Sequence, residues 1–61
     1  MTIEQYLNNH YVPDFRIVTF INNKTEILYD STKTNLDLSN FLYDSIVEGV
    51  YKKGNIIEIE I

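Results

Sequence analysis

One imidazole stands in this chain, His10, in the run His10-Tyr-Val-Pro-Asp14, and there is no cysteine. Metal centres need clustered His, Cys or carboxylate ligands, and one His with one carboxylate beyond a proline is too small a donor set. Nucleophilic catalysis needs Ser or Thr beside a base and an orienting acid. Any such triad here would have to use His10 again, and no nucleophile motif surrounds any serine. Carboxylate pairs exist in Asp37 with Asp44 and in Glu58 with Glu60, but acid-base work requires a cleft that desolvates one partner. Glu58 and Glu60 fall on the same face of an expected strand and read as its solvated side. Gly49 and Gly54 are the only glycines, so no Gly-rich phosphate loop can form. The residues therefore point to a non-enzymatic protein with no cofactor and no metal. His10 is expected to pack against a helix end or to cap a carbonyl there.

The elements that hold these residues must come from a short chain. Its 61 residues make one domain, 1–61, and at that size folding buries only roughly 60% of the unfolded surface. Disulfides and thiolate metal sites are excluded, which leaves self-association, most simply a homodimer, as the expected extra support. The net charge of −4 disfavours direct binding to nucleic acid or to anionic lipid, both of which call for a basic patch. No apolar run approaches the roughly 20 residues of a membrane span, and no basic segment followed by an apolar one marks a signal peptide. With no cysteine to oxidise, the expected location is the cytoplasm.

Residues 2–11 predict a helix, with Thr2 as N-cap and Gln5 completing a capping box. Ile3, Tyr6, Leu7, His10 and Tyr11 then form its inward stripe, and Pro13 ends it. Phe15 to Ile21 and Glu26 to Asp30 predict a hairpin. A two-residue Asn23-Lys24 loop would set Phe20 opposite Ile27 and Val18 opposite Tyr29, leaving Phe15, Ile17, Ile21 and Leu28 on the other face. Residues 31–35 carry no apolar side chain and predict a loop. Leu38, Phe41 and Leu42 have helical spacing over about 37–44, with Asp37 or Ser39 as cap. Residues 46–61 predict a second hairpin around Lys53-Gly54, with Ile57, Ile59 and Ile61 on a buried face. Two registers are open: Val50 opposite Ile57, or, with a bulge at Gly54, Val47 and Gly49 opposite the isoleucine row. The expected fold is α+β, a small, mostly antiparallel four-stranded sheet of two hairpins with an N-terminal helix and a short middle helix.

Two surface features remain. Five tyrosines and three phenylalanines are many for this length, and aromatics anchor interfaces as well as cores. Tyr6, Phe20, Tyr29 and Phe41 are expected in the core, and Tyr11, Tyr43 and Tyr51 outside it. Acidity concentrates in mid-chain, where Asp30, Asp37, Asp44 and Glu48 are offset only by Lys33. This is either an ordinary solvated surface or a negative patch that competes with nucleic acid for a basic cleft. The candidate partner-binding residues are Asp37, Tyr43, Asp44, Glu48 and Tyr51.

The order Met-Thr-Ile-Glu-Gln-Tyr-Leu, Pro-Asp, Phe-Arg-Ile-Val-Thr-Phe, Glu-Ile-Leu-Tyr-Asp and a closing Val-Tyr-Lys-Lys-Gly-Asn-Ile-Ile-Glu-Ile-Glu-Ile resembles small accessory proteins of phages and mobile elements of Gram-positive bacteria. The likeness is one of layout over nearly the whole chain, and it carries over no functional residue. It implies a class: stoichiometric inhibitors of host defence proteins, such as anti-CRISPR and anti-Hachiman proteins. The alternative is a small dimeric structural or regulatory module of a phage or mobile element.

Overall fold

Thr2 and Gln5 cap the first helix reciprocally. In the computed structural model, which describes residues 1–33 and 37–61, the Thr2 amide donates to Gln5 Oε1 at 2.9 Å and the Gln5 amide donates to Thr2 Oγ1 at 3.2 Å. Helix α1 runs over Ile3–Asn9. It is shorter than expected because the backbone turns extended at His10. The His10 ring stacks on Tyr6 at 4.3 Å, and its Nδ1–H donates to the Tyr6 carbonyl at 3.0 Å. Beyond this stop the helical stripe no longer applies, so His10 is exposed and Tyr11 is 93% exposed. Neither joins the inward stripe that the periodicity predicts, whereas the expected exposure of Tyr11 and the expected bond of His10 to a carbonyl both hold.

Strands β1 (Phe15–Ile21) and β2 (Lys24–Asp30) form the first hairpin. Its turn is Asn22-Asn23, one residue earlier than expected, with φ of 53° and 63°. A type I′ turn needs both central residues left-handed, and Asn tolerates that conformation where Lys does not. The shift sets Val18 opposite Ile27 and Phe20 opposite Thr25, and a bulge at Leu28 restores Ile17 to Tyr29. Strands β3 (Gly49–Lys53) and β4 (Ile56–Glu60) form the second hairpin. Its loop is Gly54-Asn55, with Gly54 at φ 63°. The observed register, Val50 with Ile59 and Lys52 with Ile57, is neither of the two that the sequence left open, because the turn again lies one residue from the expected place.

The sheet order is β2-β1-β4-β3, so the two hairpins meet through a central parallel pair, β1 with β4. The fold is α+β, with a mixed sheet that is otherwise antiparallel. A parallel pair needs a crossover, and here the intervening chain includes α2 (Asn40–Tyr43). Ser39 caps this helix, accepting from the Leu42 amide at 3.4 Å. Residues 34 and 35 of the expected loop lie outside the described residues.

Both helices cover one face of the sheet. Ile3, Ile17, Leu38, Leu42 and Ile59 form the core, with Tyr6, Leu7, Phe15, Tyr29, Tyr43, Val47, Ile57 and Ile61 packed against it. The other face is open and carries a polar ladder across the strands. Arg16 lies 3.7 Å from Asp30 and 3.8 Å from Glu58, and Tyr51 donates to Glu60 Oε1 at 3.2 Å. Val18 on that face is buried. Charged pairs occupy part of the open face, where Phe20 is nevertheless 58% exposed.

Candidate docking groove

The segment that follows α2 is tied down on both sides. The Ile3 amide donates to the Ser45 carbonyl at 2.9 Å, and the Val47 amide donates to the Met1 carbonyl at 2.8 Å. This gives an antiparallel bridge between Thr2 and Ile46. On the other side the Glu48 amide donates to the Glu60 carbonyl at 2.7 Å, and Ser45 Oγ returns to the Phe41 carbonyl at 2.8 Å. The backbone of residues 45–48 is therefore held between the start of the chain and its last strand.

That frame presents apolar side chains to solvent. Phe41 is 76% exposed, Ile46 56% and Leu28 40%. All three line one open concavity of about 730 Å³, together with Thr19, Asp44, Ser45, Glu48 and Ile61. Each position has a local cause. Leu28 is the extra residue of the β2 bulge. Phe41 lies outside the core because Leu38 precedes the helix, so the helical spacing that would align the two does not hold. Ile46 is turned outward by its bridge to Thr2. Single exposed apolar residues need no explanation, but several around one depression mark an interaction surface.

The five candidate residues do not share a surface. Asp44 and Glu48 line the groove just described. Asp37 lines an adjoining depression over β2, which shares Leu28 with the groove and also includes Ile27, Tyr29, Lys33 and Leu42. Tyr43 is half-buried against the core. Tyr51 lies on the opposite face, where Glu60, as hydrogen-bond acceptor and as neighbouring charge, holds the phenol above its ordinary value. It lines a concavity there with Phe20, Thr25, Lys53, Glu58 and Glu60. Asp30 is mostly withdrawn from solvent, although it lines the same depression as Asp37. It is buried, accepts from the Thr32 hydroxyl at 2.6 Å and from the Thr32 amide at 2.9 Å, and faces Arg16. The Thr32 bonds, then Arg16 and Lys33, keep its carboxyl below the usual value, outweighing its desolvation.

No family model, curated protein or solved structure matches the chain. The site must therefore be read from its own geometry.

Sequence reasoning missed Leu28, Phe41 and Ile46. It assigned Phe41 and Phe20 to the core, yet Phe20 is also exposed, at the turn end of β1. The signal that could have found Phe41 was Ser39. An N-cap at Ser39 starts the helix at Asn40, after Leu38, and so separates Phe41 from the stripe.

For chemistry, the arrangement offers little. Among the described residues no three His, Cys, Asp or Glu side chains gather where they could hold a metal ion, and His10 pairs with the Tyr6 backbone rather than with a nucleophile. Among the described residues no helix is long and apolar enough to cross a membrane. What the groove does offer is a preformed apolar surface on a fixed backbone, with two carboxylates at its edge.

Proposed function

We propose that this protein is a non-enzymatic binding module that docks another protein in the Phe41 groove, and that its partner is a bacterial defence protein which it inhibits stoichiometrically. The observation that carries the docking reading is the exposure of Phe41, Ile46 and Leu28 around one concavity. Aromatic side chains are enriched at the cores of protein interfaces, and a few well-packed anchors carry most of the binding energy there. A rigid frame lowers the ordering cost of binding. The inhibitor reading is supported by the resemblance in layout to small phage and mobile-element proteins, which implies cytoplasmic action inside the host cell.

The test is expression in bacteria that each carry one defence system, followed by phage challenge. Restored plaque formation against one system, lost in Phe41→Ser, supports the proposal. Failure across a broad panel of systems overturns the inhibitor reading.

A second reading, the small dimeric structural or regulatory module, is favoured by the outer edge of β2. That strand is exposed from Lys24 to Leu28, and on the side away from β1 it has no strand neighbour among the described residues. Unpaired edges are templates for strand addition. Sedimentation of the pure protein at tens of micromolar tests this reading, since a monomer excludes it.

A further inference from the structure

The three depressions differ in charge. The one on the open sheet face combines Lys53 with Glu58 and Glu60, and the one over β2 combines Lys33 with Asp30 and Asp37. In both, carboxylates have a cation of the same chain beside them. The Phe41 groove has Asp44 and Glu48 and no cation among its lining residues. Asp44 stands at the C-cap of the short helix α2.

We infer that the groove takes a cationic amphipathic segment of a partner protein, an apolar stripe flanked by lysine or arginine. The apolar side chains fill the concavity between Leu28, Phe41 and Ile46, and the flanking cations meet Asp44 and Glu48 at its edge. This rests on the docking reading above and adds the chemistry of the occupant. A second copy does not suit the groove. A twofold interface sets a patch against itself, which would bring Asp44 and Glu48 of both copies together with nothing to neutralise them, and like charges across an interface are strongly disfavoured. Anionic lipid and nucleic acid are disfavoured by the same two carboxylates and by the net charge of −4.

The probes are synthetic helical peptides that share one leucine stripe and differ in flanking residues, which are lysine, glutamine or glutamate. Each is titrated into the isotope-labelled whole protein and followed by amide chemical shifts. The expected result is binding of the lysine peptide, with shifts centred on Leu28, residues 41–48 and Ile61. The glutamate peptide should bind at least about tenfold more weakly, a difference that shrinks as salt rises. Neutralising the edge with Asp44→Asn and Glu48→Gln should weaken the lysine peptide by roughly three- to tenfold, the usual worth of two partly exposed ion pairs, and leave the glutamine peptide within about twofold. Phe41→Ser should weaken all three peptides, and its unchanged thermal melt would show that the fold is intact.

Equal affinity for lysine and glutamate peptides overturns the cationic-partner inference while leaving a docking groove in place. Shifts confined to the open sheet face overturn both. Self-association that Phe41→Ser abolishes overturns the inference in favour of a second copy, and shifts at the groove with anionic vesicles or DNA overturn it in favour of those partners. A failed plaque assay with intact lysine-peptide selectivity removes only the defence-protein assignment.

Discussion

Replacing Ile59 by valine and then by alanine grades the loss of one central side chain. Ile59 has no exposure. It lies on β4 in register with Ile17 of β1 and Val50 of β3, and it belongs to the core formed with Ile3, Leu38 and Leu42. A domain of 61 residues has a total stability of about 3–9 kcal/mol at the usual value per residue. Ile59→Val should remove about 0.5–1.5 kcal/mol. For a domain of this size that lowers the melting midpoint by roughly 2–12 °C. Ile59→Ala should remove about 2–5 kcal/mol, transfer and cavity terms together, which is comparable to the whole. Urea melts followed by circular dichroism and tyrosine fluorescence provide the assay. The valine variant should keep the slope of the parent and shift only the midpoint. The alanine variant should lose about 2–5 kcal/mol by the same extrapolation, a large part of a total of about 3–9 kcal/mol, and a chain lacking Ile59 to Ile61 should show no cooperative transition. If the alanine variant stays within about 0.5 kcal/mol of the parent, as a surface change would, then β4 is not the centre of the sheet and the reasoning fails.

Three further outcomes follow from local geometry. Asn23→Gly should be neutral or slightly stabilising, whereas Asn23→Val should cost at least about 1 kcal/mol in the same urea melts, because a β-branched residue must enter the left-handed region. Ser39→Ala should cost about 0.5–1 kcal/mol, toward the lower end for an N-cap because its bond to the Leu42 amide is long at 3.4 Å. Asp30 has a depressed folded value, so its contribution is complete above the ordinary value near 3.8 and is lost as pH falls through the lower folded value. Melting temperature against pH should therefore flatten below about pH 4 in Asp30→Asn relative to the parent.

The parts of the fold written in the sequence were those set by neighbours in the chain. The Thr2-Gln5 capping box, the β-branched runs, the alternating isoleucines of β4 and the Ser39 cap each depend on a few adjacent residues. Turn placement was legible to within one residue. Asn22-Asn23 beats Asn23-Lys24 because both central positions are left-handed, a demand that the strand pattern alone does not reveal. The parallel pairing of β1 with β4 was not legible, since it joins segments about forty residues apart through no local signal. The candidate surface was half legible. Asp44 and Glu48 stood out by charge, but Phe41 read as core and Ile46 as a residue of the second hairpin, because their exposure depends on where α2 starts and on the bridge between Thr2 and Ile46. Tyr43 and Tyr51 were chosen as aromatic, and the sheet then placed them on different sides.

The backbone under the groove is clasped by the first three residues on one side and by the last strand on the other. The bonds that fix it join segments far apart in the sequence, so the groove exists only in the folded molecule, and a peptide spanning residues 41–48 alone would not reproduce it.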